Sequence, residues 1–384
     1  MWNFAYHNPV KIVFGKGTIA ELANLVPQGQ KVMMTYGGGS IKRNGVYDQV
    51  MAALKGRAPV EFGGIEPNPR YETLMRAVAQ VKAEAVDFLL AVGGGSVLDG
   101  TKFIAAAAKY EGEDPWDILA RGAPVTAALP LGAVLTLPAT GSEMNGNSVI
   151  SRESTREKFS FSSSHVYPRF SILDPETTYS LSAQQVANGI VDAFVHVAEQ
   201  YLTYGVNAPL QDRQAEAILL TLIEEAPKVK ADPQNYDVRA NLMWCATQAL
   251  NGLIGCGVPQ DWATHTIGHE LTALFGLDHG QTLAIILPAV LKHERAHKAG
   301  KLIQYAQRVW GIQGLGDDET IDGAIARTEE FFRSVGNPTR LSDYDVKLAD
   351  CQAIVERFRE RGSKMGEHEA IGAQEVGKIL ALCA

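Results

Sequence analysis

Three histidines lie close together in a segment whose other residues look like the core of a helix. The segment DWATHTIGHELTALFGLDHGQT, residues 261–282, contains His265, His269 and His279, a third of the nine histidines in the chain. Imidazole nitrogens are common ligands of divalent metal ions and carry protons near neutral pH. The segment therefore indicates metal binding, proton transfer, or both.

A second pair of such residues lies upstream. Asp192 and His196 in VDAFVHVAEQ are four residues apart, which places a carboxylate and an imidazole on one face of a helix. His265 and His269 repeat that spacing, and His279 follows in a turn that could bring it back to the same point. One aspartate and three histidines suit a borderline divalent ion such as Fe(II) or Zn(II), and not calcium.

A metal-dependent hydrolase is the rival interpretation of these histidines. Zinc peptidases need the pattern HExxH or HxxEH, in which a glutamate serves as the base. The segment here reads HTIGH. The hydrolase interpretation therefore lacks its base.

Two glycine-rich turns each stand between a predicted strand and a predicted helix. They follow the segments KVMMTY and VDFLLAV and consist of Gly37, Gly38, Gly39 and Ser40, and of Gly93, Gly94, Gly95 and Ser96. Backbone without side chains can approach a phosphate and point N–H groups at it, although glycines also make tight turns that bind nothing. Two copies at successive junctions favour a dinucleotide. Ser96 and Asp99 also fit a helix capping box.

The residues around the first turn favour NADP over NAD. The GxGxxG fingerprint of ordinary Rossmann domains is absent, so we expect a variant of that architecture. NAD enzymes usually place an acidic residue near this turn to bind the ribose hydroxyl, whereas here Lys42 and Arg43 follow it. Exposed cations on a helix are commonly solvated charge, so the missing acid is the better evidence.

The pattern along the chain predicts two domains of different class. At 384 residues the chain is too long for one hydrophobic core. The first half alternates strands with helices, which is typical of a parallel sheet covered by helices. After LDPETTYSLS the apolar residues recur at helical spacing only. We expect an α/β Rossmann-like dinucleotide-binding domain over residues 1–180 and an all-α domain over residues 181–384.

Composition limits the classes of partner. The net charge is -8 and the basic residues form no long run, which argues against nucleic acid and anionic membranes. No signal peptide or membrane-spanning stretch is evident in the sequence, and the four cysteines form no CxxC pair. We expect a cytoplasmic protein with reduced cysteines and a small-molecule substrate.

Several longer segments carry a resemblance to a known family. They are PVKIVFGKG, GGIEPNP, AVGGGSVLDGTKFIAAA, TLPATGSE, VDAFVHVAEQY, GVPQDWATHTIGHELTA and LDHGQTLAIILP. In this order, from residue 8 to about residue 344, they resemble the iron-containing alcohol dehydrogenase family, and within it the bacterial NADPH-dependent aldehyde reductases often called butanol dehydrogenases. The fold that this resemblance implies is the one shared with dehydroquinate synthase.

The resemblance also implies roles for individual residues. It assigns the metal to Asp192, His196, His265 and His279, and it makes His269 an additional active-site histidine. It places the glycine turns, and Gly38 in particular, against the cofactor. Some family members have an aspartate in the first glycine turn and use NAD, whereas the turn Gly37 to Ser40 is similar to that of the NADP users. The further cofactor positions that it implies are Asn68, Asp99, Thr136, Thr140 and Lys158.

The implied reaction is reversible, NADPH-linked reduction of short- to medium-chain aldehydes to alcohols by a homodimer. The metal, iron or zinc, would polarise the carbonyl during hydride transfer. His269, a cofactor hydroxyl or water could supply the proton. The alternatives are a glycerol or polyol dehydrogenase or a dehydroquinate-synthase-like lyase of the same superfamily, a metal-dependent hydrolase, and a nucleotide sensor without turnover.

Overall fold

The computed structural model describes the whole chain, residues 1–384, and contacts divide it into two compact units. The unit that we call the helical unit comprises Met1–Tyr6, Ser182–Asp232 and Gln248–Ala384. The unit that we call the sheet unit comprises His7–Leu181 and Pro233–Thr247. These units differ from the predicted ranges 1–180 and 181–384 in residues 1–6, residue 181 and residues 233–247. The predicted ranges stay a prediction of the folding domains.

Six of the eight strands form one parallel sheet in the order β1-β8-β5-β4-β2-β3. The other two, β6 and β7, form an antiparallel hairpin. The predicted strands KVMMTY, VDFLLAV and GAVLTLP are confirmed as β2, β4 and β5. The strands are β1 (Lys11–Phe14), β2 (Val32–Tyr36), β3 (Val60–Phe62), β4 (Phe88–Gly94), β5 (Leu131–Leu137), β6 (Asn147–Arg152), β7 (Glu157–Ser162) and β8 (Phe170–Leu173).

Helices cover the sheet and make up the remainder of the chain. Beyond residue 182 every regular element is a helix, so the predicted all-α second half is confirmed. No helix is long and apolar enough to cross a membrane. The α-helices are α1 (Leu22–Leu25), α2 (Val46–Ala53), α3 (Tyr71–Ala83), α4 (Gly95–Ala107), α5 (Asp117–Ala120), α6 (Ala183–Tyr201), α7 (Pro209–Ala231), α8 (Tyr236–Ala249), α9 (Ala263–Phe275), α10 (His279–His293), α11 (Ala299–Arg308), α12 (Asp317–Val335), α13 (Gln352–Arg361) and α14 (Ala373–Leu382).

The parallel sheet is buried on both faces, which explains its continuous apolar strands. Alternate residues of β4 point to opposite sides, so Leu89 and Ala91 join one core and Leu90 and Val92 join the other. The first core includes α3 and α4, and the second includes α1 and α2. The carboxyl ends of β2 and β4, where ligands bind in such sheets, therefore lie side by side at the two glycine turns.

Three helices of the helical unit carry the predicted metal ligands, and capping fixes where two of them start. Helix α6 begins with a capping box in which Ser182 and Gln185 exchange hydrogen bonds. Helix α10 begins at His279 with Asp278 as its N-cap. At Gly280, an added Cβ would lie 2.7 Å from the Cα and the carbonyl oxygen of Asn188 on α6. Only glycine permits this approach of α10 to α6.

We predict that Gly280→Ala destabilises the protein by about 1–3 kcal/mol, because the new methyl group would meet backbone atoms that have no room to move. The measurement is the free energy of unfolding in urea. The matched control is Gly300→Ala in α11, since a Cβ there finds nothing within 4 Å. That control is expected to gain about 0.5–1 kcal/mol, because alanine favours the helix. Equal effects of the two substitutions would contradict the packing argument.

Candidate metal centre and dinucleotide turns

The carboxylate of Asp192 lies at the centre of three imidazole rings. Its Oδ1 is 3.4 Å from His196 Nδ1, 3.7 Å from His265 Nε2 and 3.7 Å from His279 Nε2. Two ligands about 2.1 Å from one tetrahedral ion lie about 3.4 Å apart. The distances from Asp192 to the three rings are therefore close to those between ligands of one divalent ion.

The structure brings three of the four predicted ligands into one compact set. One ligand atom each from Asp192, His265 and His279 lies within 4.8 Å of the other two. His196 is outside that set, although its ring stacks on that of His265 with centroids 4.5 Å apart. The role of His196 as a fourth ligand stays a prediction.

His265 is held by a buried glutamate. Its Nδ1–H donates to Oε2 of Glu199, and Oε1 of Glu199 accepts from the Thr264 N–H at 2.6 Å. Burial lowers the pKa of His265, but the carboxylates of Glu199 and Asp192 raise it to about 9. An ion would take the place of the proton that these carboxylates favour.

The other nitrogen of His265 provides the test of whether a metal fits. His265 Nε2 is buried and has no hydrogen-bond partner, while Nδ1 is oriented by Glu199. Metal-ligating histidines commonly show this arrangement, in which one ring nitrogen donates to a carboxylate and the other faces the ion. Together with the carboxylate and the other imidazoles, this nitrogen forms a set that fits an ion with nitrogen and oxygen ligands, such as Fe(II) or Zn(II).

His269 lies beside this set. Its ring centroid is 5.4 Å from that of His279 and 6.5 Å from that of His265. It is partly exposed, whereas His265 is buried. The structure thus brings His269 next to the candidate ligands on the same helix, α9, and leaves it accessible for contact with a small molecule.

The start of α9 is held by a buried ion-pair network. Oδ1 of Asp261 accepts from the N–H of Ala263 at 2.8 Å, and Oδ2 accepts from Lys298 Nζ at 2.6 Å. Trp262 between them has a φ of +64°, which is uncommon for a bulky residue. Its ring lies edge-on to His265, with centroids 5.4 Å apart. The hydrogen bond between Asp261 and Ala263 stabilises the backbone on both sides of Trp262, and the Trp262 ring packs beside the imidazole of His265.

In the sheet unit, close packing explains the glycines of the second turn. A Cβ on Gly93 would lie 2.5 Å from Val97, one on Gly94 2.9 Å from Leu137, and one on Gly95 2.5 Å from Thr140 Oγ1. Thr136 is on β5 beside this turn, because Gly93 pairs with Leu135 and Gly94 pairs with Leu137. The turn therefore presents backbone at the start of α4, as phosphate binding requires.

Three further predicted cofactor residues contact one another. The hydroxyl of Ser96 accepts from the N–H of Asn68 at 3.4 Å, and Lys158 Nζ donates to Asn68 Oδ1 at 2.8 Å. Asn68 itself has a φ of +57°. The chain therefore places an ammonium and a hydroxyl beside the second glycine turn, where a phosphate would find donors.

Asp99 does not form the predicted capping box with Ser96. Helix α4 starts at Gly95 with Gly94 as its N-cap, so Ser96 is already inside the helix. The carboxylate of Asp99 instead accepts from the Ser142 hydroxyl at 2.6 Å and from the Val149 N–H at 2.9 Å. Burial raises the pKa of Asp99 above its usual value, although the charge of Lys102 acts to lower it. The capping-box prediction was wrong because the glycines themselves begin the helix.

The first turn is more open than the second. A Cβ on Gly37 would lie 3.3 Å from the Ile65 carbonyl oxygen, whereas Cβ atoms on Gly38 and Gly39 would meet nothing within 4 Å. Ser40 is exposed. Gly39 has a φ of +85°, so glycine there meets a backbone demand. Gly38 has no neighbour that requires glycine.

Two important residues were missed by the sequence reasoning. Glu199 stands seven residues after Asp192 and three after His196, so helical spacing places it on the same face and could have revealed it. Lys298 gave no such signal, because its partners Asp261 and Glu367 are distant in sequence. Only the fold brings that network together.

Comparisons with known proteins agree with this arrangement. Residues 9–175 match the family described as iron-containing alcohol dehydrogenase, and residues 186–383 match the C-terminal part of the same family. The chain is 60% identical over 97% of its length to the NADPH-dependent aldehyde reductase YqhD of Escherichia coli, of which it covers 97%. It is 43% identical to a probable NADH-dependent butanol dehydrogenase of Bacillus subtilis, covering 99% of each chain.

Solved structures give the same result. The crystal structure of Escherichia coli YqhD superimposes with a TM-score of 0.98 at 57% identity, covering 100% of this chain and 99% of that one. The NADH-dependent butanol dehydrogenase A of Thermotoga maritima gives a TM-score of 0.95 at 39% identity, with 100% and 99% covered. The predicted fold class is confirmed, and the chain belongs to the iron-containing alcohol dehydrogenase family.

Proposed function

We propose that this enzyme reduces short- to medium-chain aldehydes to alcohols with NADPH at a metal centre. The observation that carries the proposal is the convergence of three imidazole nitrogens on Asp192 Oδ1. The 60% identity to an NADPH-dependent aldehyde reductase over 97% of both chains supports the reaction and the cofactor. The ligands would be Asp192, His196, His265 and His279.

The chemistry is divided between bound groups and the residues of the chain. When bound, the ion would act as a Lewis acid on the carbonyl oxygen, and the nicotinamide would supply the hydride. Asp192 would give the site one negatively charged oxygen ligand, and neutral imidazoles would give it the nitrogen ligands. Glu199 fixes the tautomer of His265, because its carboxylate accepts the Nδ1 proton.

The glycine turns and their neighbours would bind the dinucleotide. We assign its phosphates to the backbone of the second turn at the start of α4, with Lys158 close by. The cofactor-binding set that we propose is Gly37, Gly38, Gly39, Ser40, Asn68, Gly93, Gly94, Gly95, Ser96, Asp99, Thr136, Thr140 and Lys158.

His269 is the proposed catalytic residue for moving the proton that the alcohol product needs. Its ring is partly exposed and lies next to that of His279. An imidazole can donate a proton near neutral pH and regain it from water. A cofactor hydroxyl or water could supply the same proton, and a His269 variant separates these routes.

We further propose that the enzyme acts in the cytoplasm as a homodimer. All four cysteines are buried thiols, which suits a reducing compartment. The dimer rests on the family resemblance. Analytical ultracentrifugation of the full chain tests it, and a sedimentation coefficient of a monomer would contradict it.

We predict rapid oxidation of NADPH by metal-loaded enzyme on addition of butanal, with much slower oxidation of NADH, because no acid stands in the first turn to bind a free ribose hydroxyl. The measurement is the initial rate at 340 nm. Removal of the metal by a chelator should abolish the rate, and Fe(II) or Zn(II) should restore it.

Other outcomes of this assay lead elsewhere. A rate with glycerol and no rate with butanal would favour the polyol dehydrogenase alternative. Hydrolysis of an ester without nicotinamide would favour the metal-dependent hydrolase. If NADH were oxidised as fast as NADPH, the assignment of NADP(H) as the cofactor would be contradicted, and the rest of the proposal would stand.

Substitutions of two histidines on α9 should have different effects. We predict that His265→Ala loses the metal on gel filtration, because it removes a buried ligand nitrogen. We predict that His269→Ala keeps about one ion per chain while kcat falls roughly 100-fold, the usual value of a general acid. Metal content by mass spectrometry and kcat are measured together. Loss of the metal from His269→Ala would refute this division of roles.

The Glu199–His265 pair is expected to tune metal affinity. We predict that Glu199→Gln weakens binding of Zn(II) about 10- to 100-fold, because the amide holds the imidazole tautomer less well than the carboxylate. The matched control is Glu329→Gln, which changes a buried glutamate of α12 paired with Lys292. Competition with a chromophoric chelator gives the affinity. An equal loss in both variants would indicate a general effect of stability.

A further inference from the structure

A buried lysine uses all of its hydrogen-bond donors on three separate segments of the helical unit. Lys298 Nζ donates to the Leu202 carbonyl oxygen at 2.8 Å. It also donates to Asp261 Oδ2 and to Glu367 Oε2, each at 2.6 Å. The lysine side chain is only 1% exposed. An ammonium carries three N–H donors, so none is left over. We call Lys298 and these three partners the Lys298 network.

Two of the three contacts join the helices that carry predicted metal ligands. Leu202 is the C-cap of α6, the helix that carries Asp192, and a cation is favourable beside the carbonyl groups at such a helix end. Asp261 precedes α9, the helix that carries His265, and its Oδ1 accepts from the N–H of the first helical residue, Ala263, at 2.8 Å. The ammonium therefore links the end of α6 to the start of α9.

Asp261 also contacts α6 directly. Its backbone N–H donates to the carbonyl oxygen of Glu199 at 2.9 Å, and the carboxylate of Glu199 in turn accepts from His265 Nδ1. Burial raises the pKa of Asp261, but the charge of Lys298 lowers it below its usual value. Removing the cation from a buried pair leaves an uncompensated charge, which is strongly unfavourable. The position of Asp261 therefore depends on Lys298.

The spacing of α6 and α9 matters because one ion must contact a ligand on each helix. Asp192 Oδ1 on α6 lies 3.7 Å from His265 Nε2 on α9, and a binding site tolerates displacements of its groups of only about 0.5 Å. Trp262, just before α9, has a φ of +64°. Such a backbone persists only where its surroundings hold it. Asp261 and Lys298 supply that restraint next to the first turn of α9, in which His265 lies.

Resting on the metal centre proposed above, we propose that Lys298 is a positioning residue for that centre, because it sets the spacing of α6 and α9 and so that of Asp192 and His265. Lysine suits this role, since its ammonium is compact and its three donors can meet acceptors from three segments. Arginine would place a planar fork in the same buried space, and methionine would offer no donor. Glu367, between α13 and α14, holds the ammonium from the third side.

The test measures Zn(II) affinity and the visible absorption of the Co(II)-loaded protein in the full chain, neither of which needs turnover. Lys298→Met should weaken Zn(II) about 10- to 100-fold in competition with a chromophoric chelator, the usual effect of losing a residue that holds metal ligands in place. It should also shift the Co(II) bands, which report ligand geometry.

Lys298→Arg is the second variant, and it covers the case in which Lys298→Met does not fold. It keeps the buried charge but replaces the compact ammonium by a planar fork. We expect it to weaken Zn(II) and to shift the Co(II) bands in the same direction, because the fork cannot meet the three acceptors as the ammonium does.

The matched control is Lys102→Met. Lys102 is also fully buried, and its Nζ donates to three acceptors of the sheet unit: Ser142 Oγ at 2.8 Å, Asn145 Oδ1 at 3.1 Å and the Asn147 carbonyl oxygen at 2.9 Å. Its removal should lower the free energy of unfolding, and it should leave the Zn(II) affinity and the Co(II) bands unchanged.

Three results would overturn the assignment. The first is an unchanged Zn(II) affinity in folded Lys298→Met or Lys298→Arg. The second is a set of Co(II) bands that stays in place while only the free energy of unfolding falls, because that result describes a lysine with a merely structural role. The third is an equal loss of affinity in Lys102→Met. Zn(II) binding that depends on Lys298, in a chain that reduces no aldehyde, would instead refute only the proposed function.

Discussion

The arrangement of the helical unit depends on one buried carboxylate that needs positive charge beside it. Asp192 is 3% exposed, and three imidazole nitrogens lie within 3.7 Å of one of its oxygens. A buried carboxylate is costly unless a cation accompanies it. The carboxylates of Glu199 and Asp192 raise the pKa of the adjacent His265 to about 9, so this imidazole favours a positive charge beside them. A divalent ion would supply it more strongly and would orient all the rings at once.

Asp192 and the three histidines can reach one ion only if the helices that carry them pack closely and begin at the right residues. Helix α10 approaches α6 only because Gly280 has no side chain. Helix α9 begins where it does because Asp261 accepts from the Ala263 N–H and is itself held by Lys298. In the sheet unit the same kind of constraint appears at Gly93, whose missing Cβ lets the strand turn directly into α4. Backbone proximity, and not side-chain chemistry alone, prepares both sites.

The sequence predicted the class of each half and the residues around Asp192, because periodicity and i,i+4 spacing are local properties. It missed the hairpin that carries Lys158, although NSVISR and EKFSFS alternate as strands do. The start of α4 was misjudged, since the polar pair Ser96 and Asp99 imitates a capping box. The Lys298 network could not be predicted, because it joins residues distant in sequence that only the fold brings together.

The central claim is that Asp192 and three histidines share one ion. X-ray absorption at the zinc edge of the zinc-loaded enzyme tests it most directly. The account predicts nitrogen and oxygen donors about 2.0–2.1 Å from the metal, with imidazole scattering that accounts for three histidines and falls to two in His196→Ala. A spectrum with two imidazoles in the unchanged chain, and no change in His196→Ala, would contradict it.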